Sequence, residues 1–132
     1  MSLYVTDTHA LIYYSTAQSQ LSKRALAAFD AAAQSQSLIY IPAPALWEVS
    51  NLDKAGHIKL QQPFSVWLND LLTQKGFDIV PLDAEIIAEA RNYGFNHDIF
   101  DAAIVATAKL KDVPLITRDN AITNSGLVDI YW

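Results

Sequence analysis

Hydrophobic positions along the chain switch repeatedly between the spacing of a strand and that of a helix, and the switches predict the elements. Leu3-Tyr4-Val5-Thr6 is a short β-type run stopped at Asp7-Thr8, and His9 to Tyr14 follow as a brief helix. Ser19 or Ser22 caps a helix reaching Gln36, with Leu21, Ala25, Leu26 and Phe29 on one stripe. Ser37-Leu38-Ile39-Tyr40-Ile41 reads as a buried strand ended by Pro42, and Pro44 opens a helix that Gly56 stops. Pro63 to Lys75 forms an amphipathic helix burying Phe64, Trp67, Leu68, Leu71 and Leu72; Phe77-Asp78-Ile79-Val80 is the third strand. Asp83 caps a helix through Asn92 that Gly94 closes. Val113-Pro114-Leu115-Ile116-Thr117 is the fourth strand, Arg118-Asp119-Asn120 a turn, and Leu127 to Trp132 a fifth, edge strand.

One stretch breaks the amphipathic rule. From His97 to Leu110, apolar side chains occupy every side of the helical projection behind Asp98 and Asp101, which predicts a buried helix with acids at its mouth. Capping is an ordinary explanation for either acid: Asp98 as N-cap, Asp101 facing the positive end of the macrodipole. Glu48 is a second anomaly, because it shares the inward stripe of Ala45, Val49 and Leu52.

Strands alternating with helices imply crossover connections and a mainly parallel sheet of about five strands covered on both faces, an α/β fold. Ligands bind such sheets outside the carboxyl ends of the strands. Asp7 and Asp119 follow strands there, and Glu48, Asp98 and Asp101 lie in the first turns of helices that start from the same edge. All five acids can meet on one side.

At 132 residues the chain fits a single domain spanning residues 1–132. It has no cysteine, which removes disulfides, thiolate zinc sites and cysteine nucleophiles together. Its four glycines are too scattered for a phosphate-cradling loop, and His9, His57 and His97 lack zinc spacing, so structural roles are expected for them. With no basic leader and no apolar run of membrane-spanning length, a cytoplasmic protein without membrane contact is expected. A net charge of −5 argues at first against a nucleic-acid partner. Setting the five clustered acids aside, however, leaves nine acids against nine lysines and arginines, so the acidity can be local. A bound divalent ion would reverse its sign.

Magnitudes favour that reading. Two carboxylates about 5 Å apart repel by roughly 3 kcal/mol at an effective dielectric of 20, whereas an exposed ion pair returns at most about 1 kcal/mol. A cluster of acids is therefore poor structural glue, and some members should titrate high without metal. Mg²⁺ or Mn²⁺ accepts such oxygen ligands, and the chemistry it supports is phosphodiester hydrolysis.

Asp7-Thr8 after the first strand, Glu48 within Leu46-Trp47-Glu48-Val49, Asp98-Ile99-Phe100-Asp101 and Thr117-Arg118-Asp119 resemble the acidic motifs of PIN-domain nucleases. The length and the Asp7-Thr8-His9-Ala10-Leu11 opening resemble the VapC toxins of bacterial toxin–antitoxin pairs, and the resemblance covers essentially the whole chain. It implies a three-layer α/β/α sandwich and endoribonuclease activity with one or two Mg²⁺ or Mn²⁺ ions. It also implies an RNA substrate, frequent homodimers, and a cognate antitoxin through which alone operator DNA is bound. By motif match, Asp7, Glu48, Asp101 and Asp119 would be catalytic, with Asp7, Asp101 and Asp119 holding metal and Asp98, Thr8, Thr117 and Arg118 in support. One departure stands out: many relatives read Asp-Pro-Phe-Asp-Arg at the third motif, where this chain has Ile99 and Ala102 in place of the proline and arginine. Any phosphate contact from that arginine is lost here, and Arg118 is the candidate substitute.

A phosphoacceptor receiver domain has a similar alternation, but wants adjacent acids after the first strand and a lysine after the fifth; a haloacid-type phosphatase wants an acid where His9 stands. Neither pattern is present. The remaining alternative is a catalytically weak domain of the same fold that binds protein. Trp47, Trp67, Tyr13, Tyr14 and Trp132 then become core or interface, with core the default.

Overall fold

In the computed structural model, which describes residues 1–132, the amino-terminal run forms β1 (Ser2–Thr6). Successive strand residues point to opposite faces, so Tyr4 joins one core and Val5 another. The other strands are β2 (Ser37–Pro42), β3 (Phe77–Val80), β4 (Leu115–Ile116) and β5 (Ile130–Tyr131). They form one sheet in the order β3-β2-β1-β4-β5, with every pairing parallel. The helices are α1 (Thr8–Thr16), α2 (Lys23–Ala33), α3 (Ala43–Lys54), α4 (Phe64–Thr73), α5 (Ala84–Ala90), α6 (Ile99–Lys111) and α7 (Asn120–Ser125). They cover both faces, giving the three-layer α/β/α architecture expected.

The larger core packs Leu11, Phe29, Ile39 and Leu71 from α1, α2, β2 and α4, with Tyr14 stacked on Phe29. On the other face, Ile104 and Val105 of α6 pack with Val5, Leu115 and Ile122. The strand order reverses at β1, whose neighbours are β2 on one side and β4 on the other. That switch point is where an open α/β sheet forms its binding crevice, and the segments leaving β1 and β4 carry Asp7 and Asp119.

Several local expectations need correction. The fourth strand shrinks to Leu115–Ile116, because Pro114 has no N–H to donate and Thr117 turns away to receive the Asp119 N–H. The fifth is equally short, and the turn expected at residues 118–120 instead opens α7, N-capped by Asp119. Gln18–Gln20 form a separate 3-10 turn, and α2 starts after Ser22, whose hydroxyl accepts from the Ala25 N–H. In α4, Leu72 is exposed rather than buried. The buried helix is α6, but only Ala103 to Ala108 are continuously buried; its first turn surfaces, with Ile99 74% exposed. Trp47, assigned by default to the core, is 60% exposed. Gly76 marks a close approach: a Cβ there would lie 1.8 Å from the Ala32 carbonyl oxygen, so β3 can sit beneath α2 only with glycine at this point.

Candidate functional site

Three of the aspartates first do what their position in the chain demands. Asp7 N-caps α1, its Oδ1 accepting from the Ala10 N–H at 2.8 Å. Asp119 N-caps α7 through Ile122 at 2.9 Å, and Asp98 N-caps α6 through Phe100 at 2.8 Å and Asp101 at 3.1 Å. Capping and site formation are therefore not alternatives. Each cap engages a single oxygen of its carboxylate and orients the other, and all three helix N-termini open on one cleft of about 380 Å³.

Five carboxylates line that cleft: Asp7, Glu48, Asp98, Asp101 and Asp119. Thr8, His9, Tyr13 and Arg118 complete its wall. Thr117 stands behind it, buried, and ties two acids together: its hydroxyl donates to Asp7 Oδ2 and accepts from the Asp119 N–H at 3.0 Å. A hydroxyl has one proton, so this arrangement fixes its direction toward Asp7. Glu48 lies in the second turn of α3 rather than the first, yet still reaches the cleft; its Oε1 is buried without a hydrogen-bond partner, as is Thr8 Oγ1. A buried oxygen with no partner costs about 1–3 kcal/mol, and two at one wall mark a place built to receive something.

The electrostatics agree. Asp7 is pushed above the ordinary carboxylate range, first by burial and further by Asp119, despite hydrogen bonds from Thr117 and Ala10 and the nearby His9. Asp101 is pushed up to about 6 by burial, then by the charges of Asp98, Asp119 and Glu48. Asn96 opposes this, its side-chain amide donating to Asp101 Oδ2 at 3.0 Å while its carbonyl accepts from the Asp98 N–H at 3.0 Å. The negative groups acting on Asp101 thus come from three separate stretches of chain. Arg118, the one lysine or arginine in the cleft wall, gives its hydrogen bond to the Tyr13 hydroxyl rather than to a carboxylate.

The donor set suits a hard divalent cation: every candidate ligand is oxygen, two are unpartnered and buried, and two carboxyls are held above their ordinary range. No three of the acids and histidines close into a ready-made ligand cage. Mg²⁺ commonly binds through one or two carboxylates, with water and substrate in the remaining positions.

Sequence reasoning missed Asn96, Tyr13 and His9 here. The three histidines, expected to be structural, are all exposed, and His9 faces the cleft mouth. Tyr13 lies four residues after His9 on the same face of α1, with ring centroids 6.3 Å apart, and that spacing was the available signal. Asn96 stands two residues before a capping aspartate, a place where a short polar side chain closes a turn.

Beside the acids lies an apolar groove of about 310 Å³ between α3, α5 and α6, lined by Trp47, Leu82, Ile87, Ile99 and Phe100. Trp47 meets Phe100 edge-on at 5.6 Å.

Fold and cleft together define a class: a doubly wound parallel α/β domain with a carboxylate-lined pocket at its switch point. The PIN domain family model matches residues 4–125, and the chain belongs to that family. Similar solved structures include VapBC2 from Rickettsia felis bound to a DNA fragment from their promoter, at TM-score 0.69 and 13% identity over 98% of this chain and 99% of that one. The Mycobacterium tuberculosis VapC20 toxin, described as cleaving the sarcin-ricin loop, gives TM-score 0.69 and 14% identity over 99% and 100%. FitAcB from Neisseria gonorrhoeae gives 0.61 and 22% over 98% and 96%. At such identities the likeness is one of fold. No curated protein matches the chain significantly in sequence.

Proposed function

We propose that this chain is a Mg²⁺- or Mn²⁺-dependent endoribonuclease, the VapC-type toxin of a toxin–antitoxin pair acting in the cytoplasm. The observation that carries the reading is the convergence of Asp7, Glu48, Asp98, Asp101 and Asp119 on one cleft whose arginine is turned to a tyrosine. Asp7, Asp101 and Asp119 are the direct ligands in this reading, with Glu48 and Asp98 holding ordered water. Bound there, a divalent ion would supply an activated water and charge stabilisation for phosphodiester hydrolysis. The protein's own share is preorganisation. Thr117 locks Asp7 and Asp119 in register, Asn96 orients Asp101, and the three capped helices direct N-terminal dipoles toward anionic groups.

The partners follow from the same reading. A small antitoxin covers the toxin and carries any contact with operator DNA, in keeping with the promoter-bound VapBC2 relative. RNA as substrate is supported by the relative described as a sarcin-ricin loop cleaving toxin. We assign the apolar groove with Trp47, Ile87 and Ile99 to a second copy of the chain, since exposed apolar patches of this kind mark association surfaces. No helix is long and apolar enough to cross a membrane.

The groove and the open ligand geometry also favour a second reading, a catalytically weak PIN-fold domain that binds protein. A cleavage assay separates the two. The nuclease reading expects Mn²⁺-dependent cutting of RNA that stops with chelator and in Asp7→Asn. Cleavage that survives chelation, or metal binding with no cleavage of any RNA, favours the second.

A further inference from the structure

The acids leave an electrostatic problem: RNA must bring its phosphates to a pocket lined by five carboxylates. The only fully cationic side chain in the wall is Arg118, and two observations fix where its charge sits. Its Nη2 donates to the Tyr13 hydroxyl at 2.8 Å, and its guanidinium lies 4.8 Å from the centre of the Tyr13 ring. A free arginine beside aspartates would be expected to fork onto one of them. Tyr13 instead holds the guanidinium at the rim, exposed. One hydrogen bond to a phenol leaves most of the five-donor fork unused, and the contact with the ring face holds the group in place. Tyr13 comes from α1 and Arg118 from the segment between β4 and α7, so the pair stands on the edge bearing Asp7 and Asp119. The cleft is thus polarised, with its cation at the α1–α7 side and the carboxylates of Asp98 and Asp101 at the start of α6.

We propose that Tyr13 and Arg118 form a phosphate clamp for single-stranded RNA, gripping a backbone phosphate next to the one cleaved, with Tyr13 as the positioning residue that keeps Arg118 off the acids. This rests on the nuclease reading for its substrate class, but it is tested by binding without cleavage. The background is Asp101→Asn, and the probe is a short fluorescent single-stranded RNA of mixed sequence, titrated at a Mn²⁺ concentration that saturates this variant over a range of monovalent salt. Removing one phosphate contact with R118A flattens the slope of log affinity against log salt by about 0.7 and weakens binding several-fold. R118K restores the slope, because the charge returns, but not the full affinity, because the planar multi-donor fork does not. Y13F keeps the ring and loses the hydroxyl; in the otherwise native enzyme it raises KM several-fold with little change in kcat. A salt slope unaltered by R118A, equal behaviour of R118K and R118A, or no RNA binding in the Asp101→Asn background would overturn the clamp. If the native protein cleaves RNA while the slope is unaltered, the clamp fails and the nuclease reading stands. If RNA binds with an Arg118-dependent slope but is never cut, the clamp stands and the nuclease reading fails.

Discussion

Asp101 carries part of the cost of the cluster. Its carboxyl is raised to about 6 from an ordinary 3.8, chiefly by burial and then by Asp98. A raised acid binds its proton more tightly folded than unfolded, so stability of the metal-free protein falls as pH rises from 3.8 to about 6 and levels off above. The full shift corresponds to about 3 kcal/mol; half exposure to solvent brings the expected effect to about 1 kcal/mol. Asp101→Asn should therefore raise the stability of metal-free protein at pH 7 by about 1 kcal/mol while abolishing cleavage, read by denaturant unfolding and an RNA assay. Destabilisation would show that the acid is structural glue. Thr117→Val tests the tie between Asp7 and Asp119: outer partners of this kind cost about 10–100-fold in activity or metal affinity, and the loss should appear with the fold intact by circular dichroism. The acids themselves were legible in the sequence, because inward or strand-end carboxylates are anomalies against hydrophobic patterning. Asn96 was not, since an asparagine in a loop breaks no pattern until its partner is known, and for Tyr13 the only signal was its spacing from His9 along α1.

At the scale of elements, the long periodic segments were readable and the short ones were not. The stripe of Ala25, Phe29 and their neighbours specifies α2, but α7 has six residues and one buried side chain, Ile122, too little periodicity to see. Asp119 serves as its cap and as a cleft acid together. Strand lengths failed for a similar reason: Pro114 and Thr117 leave the ladder for local reasons that apolar character conceals. The exposed front of α6 shows that an all-apolar projection can belong to a helix half in the core and half at the surface. Gly76 offers a test of how tightly α2 sits on β3. Gly76→Ala should destabilise by about 3 kcal/mol, because the new methyl meets a backbone carbonyl that cannot rotate away; a change within experimental error would mean the two elements readily separate.

At the scale of the whole molecule, a parallel sheet covered on both faces leaves its switch point as the one edge where loops from distant segments meet, and three capped helices start there. The apolar groove lies beside that edge, between α3, α5 and α6. If a second copy covers it, Ile87→Glu should weaken self-association at least tenfold by analytical ultracentrifugation, leaving metal binding unchanged because Ile87 lies outside the acid cleft. An unaltered sedimentation profile would assign the groove to another partner. The central claim is that acids from separate stretches share one dication, and Mn²⁺ binding followed by electron paramagnetic resonance tests it most directly. The native protein should bind Mn²⁺, and Asp7→Asn and Asp101→Asn, on different elements, should each weaken binding at least tenfold. Binding that neither substitution alters, or none in the native protein, would contradict it.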